Sequence, residues 1–224
     1  LSVTAPKSNI QITTTENIPD LLNDLGCKSF LIDGNKQIDG DLFSDGLLFL
    51  SYGIMKLYAR NDENQDVFIE LFKRGEAFRL DTRYQNIPDT KVIARSVTRS
   101  MLYFIPDNML EFIGINGSPL NVFLDQLFLQ KMRKKEAQNI INVRYDIRQR
   151  LKIFLRDYAE DFTSKKSDIP IINIHLSHQE IAQLLCSSRQ TISMILNYWR
   201  SEYQIDYSRR WIKVLNPHFF KSLD

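Results

Sequence analysis

Apolar positions along the chain change period twice. Between residues 47 and 106 they fall in short runs rich in β-branched and aromatic residues, over 47–53, 54–59, 67–72, 91–96 and 100–105. Turn formers such as Asn61, Asp62 and Asn64 separate them. Many short strands at regular spacing predict a small β-sandwich or barrel. From 120 to 143 the period becomes helical. Leu120, Leu124, Leu127, Lys131, Lys134, Ala137 and Ile141 fall on one stripe, with Phe123, Phe128, Met132 and Ile140 beside it. So long a stripe reads as a dimerisation seam, turning polar near Lys131–Glu136; a helix packed on its own β-domain is the alternative. A further helix is expected over 145–162, with Ile147, Leu151, Phe154, Leu155 and Tyr158 inward. A polar loop over 163–168 and a short strand over 171–174 follow it.

The last fifty residues carry the sharpest pattern. Ser177 and Glu180 have capping-box spacing, each side chain able to serve the other's backbone N–H. Ile181, Leu184 and Leu185 continue as a helical stripe until Cys186, Ser187 and Ser188 break it. A second helix then starts at Arg189, Gln190 and Thr191. Ile192, Ile195, Leu196 and Trp199 form its inward face, leaving Arg189, Gln190, Ser193 and Met194 near its start or on its outer side. Two short helices joined by a tight turn, the second polar at its N-terminal end, describe a helix-turn-helix. Strand-like segments at 205–207 and 211–215 flank Ser208, Arg209 and Arg210, which reads as a wing with a basic tip. Double-stranded DNA is the partner this pattern predicts.

Charge sharpens that reading. Residues 1–130 hold 12 Lys/Arg against 17 Asp/Glu, and residues 131–224 hold 17 against 10, so the overall +2 hides an acidic half and a basic half. The basic half carries the helix-turn-helix, where positive charge attracts phosphates by counterion release. The apolar fraction of 43% is ordinary for a globular chain, and no run is long enough to span a membrane. No secretory leader is visible, and an intracellular compartment is expected. Cys27 and Cys186 are too few and too far apart for a disulfide framework, a zinc site or an iron–sulfur cluster. Enzymatic function is not expected. Ser177 is explained as a cap, no Gly-x-Ser-x-Gly elbow occurs, and His175 and His178 lack i, i+4 ligand spacing.

Taken in order, these segments resemble the Crp/Fnr transcription factors. The resemblance is most specific over 176–197 and the wing. Within that family the chain looks closest to NtcA-type nitrogen regulators and their plastid-encoded homologues, on Leu176-Ser177-His178-Gln179, Ile181-Ala182, the Ser188-Arg189-x-Thr191 turn and Asp146-Ile147-x-x-Arg150-Leu151. The resemblance implies an α+β fold: a flexible arm (1–20), a cyclic-nucleotide-binding-like β-roll (21–117), a dimerisation helix (118–144) and a winged helix-turn-helix (145–224). It implies a homodimer on a palindromic site, RNA polymerase as partner, no enzymatic cofactor, and a bacterial cytoplasm or plastid stroma. Arg189 would read guanine through O6 and N7, and Gln190 an adenine or a phosphate. Ser188, Thr191, Ser193, Arg209 and Arg210 complete the expected DNA-facing set, while Met194 stands where the family usually has a second arginine.

The effector side of the resemblance is weaker. Neither the Gly-Glu nor the Arg-Ser signature of cyclic-nucleotide pockets survives around Phe78, Arg79 and Leu80, so cAMP is not expected. NtcA-type proteins bind 2-oxoglutarate. On an ungapped reading Lys131 falls where they have an arginine and Glu136 matches a glutamate, whereas Thr90 replaces the arginine that would grip a carboxylate. Phe78, Arg79, Leu80, Lys131 and Glu136 are therefore the candidate effector residues. A structural ion pair between Lys131 and Glu136 across helices is the equal alternative.

Overall fold

The computed structural model describes residues 17–40, 43, 45–80, 90–115, 118–164 and 170–221. The expected arm before residue 17, residues 81–89 of the expected β-roll and residues 165–168 of the polar loop lie outside these. The chain forms two compact units, one of residues 1–65 and 71–132, the other of 66–70 and 133–224.

The N-terminal part is built on antiparallel strands. β1 (Lys28–Ile32), β3 (Gly46–Tyr52), β6 (Ala77–Phe78) and β8 (Ser100–Pro106) form a sheet in the order β1-β8-β3-β6. β2 (Gln37–Asp39), β4 (Ile54–Asn61), β5 (Asp66–Lys73) and β7 (Thr90–Ser96) form another in the order β2-β7-β4-β5. The five predicted strands are all present, within about two residues of their expected ends. The link from β3 to β4 turns at Gly53, whose φ of 99° and whose missing Cβ, which would meet Ser100, both require glycine. β1, β2 and β6 carry no five-residue apolar run, so the hydrophobic pattern alone does not predict them.

One face of the first sheet is covered by helices. α1 (Ile18–Asp24) buries Ile18 and Leu22 fully, so residues 18–20, expected in the flexible arm, belong to a packed helix. Pro19 suits a first helical turn, and Gly26 at φ 74° lets Cys27 N–H return to Leu22 O at 2.9 Å. α2 (Asp107–Ile115) adds Ile113 to the same core. The long helix α3 (Pro119–Arg144) follows, with Leu120 and Phe123 buried beside Phe49, Tyr103 and Ile105. Each such side chain stabilises by about 1.5–3 kcal/mol.

This packing corrects the seam expected on α3. Leu120, Leu124 and Leu127 face the β-domain of their own chain, and Lys131 continues that stripe. The outward side carries Val122, Phe128, Leu129, Met132, Ile140 and Val143, all exposed. The helix is apolar on two sides through its first half, so periodicity alone could not say which side meets the sheet.

In the C-terminal unit, α4 (Ile147–Phe162) is capped by a reciprocal Asp146–Gln149 box. Leu151, Ile153, Leu155 and Tyr158 are buried. β9 (Thr163–Ser164), β10 (Ile171–Asn173), β11 (Ile205–Tyr207) and β12 (Trp211–Val214) form an antiparallel sheet in the order β11-β12-β10-β9. Between β10 and β11 lie α5 (His178–Leu184) and α6 (Arg189–Ser201). Among the described residues no helix is long and apolar enough to cross a membrane.

Candidate nucleic-acid interface

The capping box predicted for α5 is formed. Glu180 N–H donates to Ser177 Oγ at 3.2 Å, and Ser177 N–H donates to Glu180 Oε2 at 2.6 Å. Satisfying two orphan amides stabilises the helix start by about 1 kcal/mol. The turn out of α5 runs through Cys186, exposed and in the left-handed region at φ 49°. Ser187 N–H returns to Ala182 O at 2.8 Å, closing the helix end. Ser188 then caps α6, accepting from Thr191 N–H at 3.0 Å, and its hydroxyl lies 2.8 Å from Thr191 Oγ1.

Ile192, Ile195, Leu196 and Trp199 are buried along the inner face of α6, as predicted, and Trp199 meets Phe219 edge-on at 5.0 Å. Arg189 and Gln190 are exposed at its N-terminal end, and Met194 is 62% exposed one turn further on. Arg189, Gln190 and Met194 therefore project from the first half of a helix whose opposite side is anchored in the core. Ser193 differs. It is half-buried, and its Oγ lies 2.9 Å from His178 Nδ1.

The wing is the β11–β12 hairpin. Ser208 N–H donates to Trp211 O at 2.9 Å, and Arg209 and Arg210 are exposed at the tip. Two contacts tie it to α6. Arg200 Nη2 pairs with Asp206 Oδ1 at 2.7 Å, and Tyr207 O–H donates to Asn197 Oδ1 at 2.7 Å. The Arg200 guanidinium also lies 5.2 Å from the Tyr207 ring. These contacts fix the basic tip relative to the N-terminal end of α6. Sequence reasoning missed Asn197, Arg200, Asp206, Tyr207 and His178. Their only signal was position on an outer helix face, on the wing strand or beside a cap, which does not name a partner.

The candidate effector residues do not gather into a polar pocket. Phe78 and Leu80 are buried in the β-domain, with the Phe78 ring 4.7 Å from that of Phe72. Arg79 pairs with Asp107 at 2.7 Å. Lys131 Nζ donates to Ala77 O at 3.0 Å and lies 3.8 Å from the centre of the Phe72 ring. Glu136 is exposed further along α3. Five positions separate it from Lys131, which turns the two side chains to different sides of the helix. Lys131 thus faces its own β-domain, not a partner helix. Among the described residues no group of three or more His, Cys, Asp or Glu side chains is placed to hold a metal ion.

Residues 149–223 match the family model of the Crp-like helix-turn-helix domain. No curated protein matches the chain significantly by sequence. Solved structures do match in fold. A variant of CooA from Carboxydothermus hydrogenoformans superposes with a TM-score of 0.70 at 14% identity, covering 95% of this chain and 97% of its own. A Crp/Fnr-family transcriptional regulator of Thermus thermophilus gives 0.67 at 16%, covering 88% and 97%. The c-di-GMP responsive global regulator CLP of Xanthomonas campestris gives 0.67 at 16%, covering 91% and 100%. The fold is Crp/Fnr-like: an N-terminal β-domain, a long helix and a C-terminal helix-turn-helix domain. Residues 149–223 form its Crp-like helix-turn-helix domain.

Proposed function

We propose that this protein is a sequence-specific transcription regulator that binds a palindromic DNA site as a homodimer. The observation that carries the reading is the exposed set of Arg189, Gln190 and Met194 on the first half of α6, flanked by Arg209 and Arg210 on a wing tied to that helix. Arg189 supplies the guanine contact and Gln190 an adenine or phosphate contact, while the wing arginines neutralise backbone phosphates. Two such helices must enter successive major grooves, about 34 Å apart. The outward side of α3 supports the dimer. Val122, Leu129, Glu136 and Val143 recur every seven residues, all exposed, and Met132 and Ile140 widen the band. Regulation would follow from contact with RNA polymerase.

Effector control divides into two readings. Nitrogen regulation through 2-oxoglutarate, implied by the NtcA-type resemblance, needs cationic side chains turned to a dicarboxylate. Phe78 and Leu80 are apolar and buried, Arg79 is paired with Asp107, and Lys131 is bonded to Ala77 O. These residues do not fit that ligand, which favours an effector-independent regulator with a diverged pocket. Fluorescence-anisotropy titration with a GTA…TAC palindrome and a scrambled duplex, with and without 2-oxoglutarate at fixed salt, separates the readings. The expected result is preference for the palindrome, unchanged by 2-oxoglutarate. Tightening by the ligand would restore nitrogen control, and equal binding to both duplexes would overturn sequence-specific recognition of this site.

A further inference from the structure

Between the wing and the two helices of the helix-turn-helix lies a cleft of about 620 Å3. Ile181 and Leu196 form part of its apolar floor, and His178, Arg189, Ser208 and Arg209 are among its polar lining. His178 links two elements here. Its Nδ1 meets Ser193 Oγ at 2.9 Å, and Ser193 stands one turn beyond Arg189 on α6. The imidazole therefore joins the start of α5 to the helix that presents Arg189. Its other nitrogen, Nε2, has no hydrogen-bond partner among the described residues.

The surroundings disfavour the charged form of this ring in the free protein. Burial, then the positive charge of Arg189, hold His178 below the usual histidine range. From the wing, Arg209 adds positive charge to the same cleft and the Tyr207 ring stands 5.7 Å away. Glu180, the acid of its own helix, is committed to the Ser177 cap. A half-buried histidine facing two arginines lacks one thing that would favour its charged form, and that is an anion. DNA supplies one in every backbone phosphate.

We propose that this cleft seats a DNA backbone phosphate and that His178 takes up a proton as the phosphate enters. The proposal deepens the DNA-binding reading and rests on it. In the complex both ring nitrogens donate, Nδ1–H to Ser193 Oγ and Nε2–H to a phosphate oxygen, while Arg209 and the Ser208 hydroxyl hold the other side. The grip on the phosphate is thereby transmitted to α6 through Ser193, so holding the backbone also fixes the helix that carries Arg189. DNA affinity then rises as pH falls, by up to about tenfold per protomer for each unit by which the phosphate raises the histidine pKa.

Isothermal titration calorimetry of the wild-type protein with the GTA…TAC duplex, at pH 6.5 in two buffers of different ionisation enthalpy, counts the protons exchanged. Net uptake by the wild type, reduced in His178→Gln, is expected; the anisotropy dissociation constant should likewise respond less to pH between 8 and 6 in that variant. Tight binding with no uptake, or with the same uptake in both proteins, overturns the His178 proposal and leaves the DNA reading standing. Binding to no duplex at any pH overturns both. Should His178→Gln not fold, NMR titration of histidine Cε1–H signals in the wild type decides the matter: one histidine must titrate higher with DNA bound, and its loss in a folded His178→Asn chain identifies it. An unshifted titration for every histidine contradicts the proposal.

Discussion

Replacing Lys131 by Met tests what the long helix does at its midpoint. Methionine keeps most of the apolar stem while removing the ammonium that bonds Ala77 O at 3.0 Å and sits 3.8 Å from the Phe72 ring centre. A hydrogen bond from a charged donor contributes about 1.5–3 kcal/mol, and a partly exposed cation–π contact about 0.5–1 kcal/mol. Relief from desolvating the ammonium and the packing of the thioether on Phe72 offset part of this. The net expected loss is about 1.5 kcal/mol, or roughly 3–6 °C in Tm for a chain of this size. Urea unfolding followed by far-UV circular dichroism, with and without 2-oxoglutarate, measures it. If Lys131 instead gripped 2-oxoglutarate, a ligand concentration a hundred times Kd would stabilise the wild type by about 2.7 kcal/mol, and the variant much less. Unchanged stability in Lys131→Met, or ligand stabilisation that disappears in it, would refute the assignment of this lysine to the β-domain.

Three other substitutions probe the C-terminal unit. Cys186→Gly relieves a left-handed residue at φ 49° and should stabilise the protein by about 0.5–1 kcal/mol in denaturant titration; destabilisation would count against a strained turn. Tyr158→Phe takes away the oxygen that accepts His175 N–H at 3.1 Å and should cost about 1–3 kcal/mol at neutral pH. Burial holds the Tyr158 phenol above the ordinary tyrosine range, so the unfolded chain loses its proton first. Stability should therefore fall as pH rises past about 10, with a smaller alkaline loss in Tyr158→Phe. Arg209→Ala should weaken palindrome and scrambled duplex alike, and reduce the slope of log K against log salt by about 0.9 for each phosphate left without its cation; a selective effect on the palindrome would instead make it a base reader.

The helix-turn-helix was the most legible part of the chain because its signals are local. A cap and its Glu lie three residues apart at Ser177 and Glu180, and the apolar face of α6 repeats within four residues. The strands from β3 to β8 with strong apolar runs were equally plain. The pairing of His178 with Ser193, fifteen residues away, has no periodic signature. α1 was hidden by its length, since seven residues with two buried positions scarcely rise above a polar segment. On α3 the choice between two apolar sides needed the β-domain itself. Phe78, Arg79 and Leu80 sit side by side in sequence as effector candidates, yet both apolar side chains are buried while Arg79 turns to Asp107. The in-out alternation of an extended chain already contained that hint.

In the proposed mode of binding, α6 reads sequence through Arg189 while the wing grips the backbone. Anisotropy titrations of the wild type and Arg189→Ala against the GTA…TAC palindrome and its scrambled control, at one salt concentration, test it most directly. The expected result is a wild-type preference for the palindrome that falls by about 1–3 kcal/mol per half-site in Arg189→Ala, with binding to the scrambled duplex much less affected. An undiminished preference in the variant would contradict it and move recognition to Gln190 and Met194.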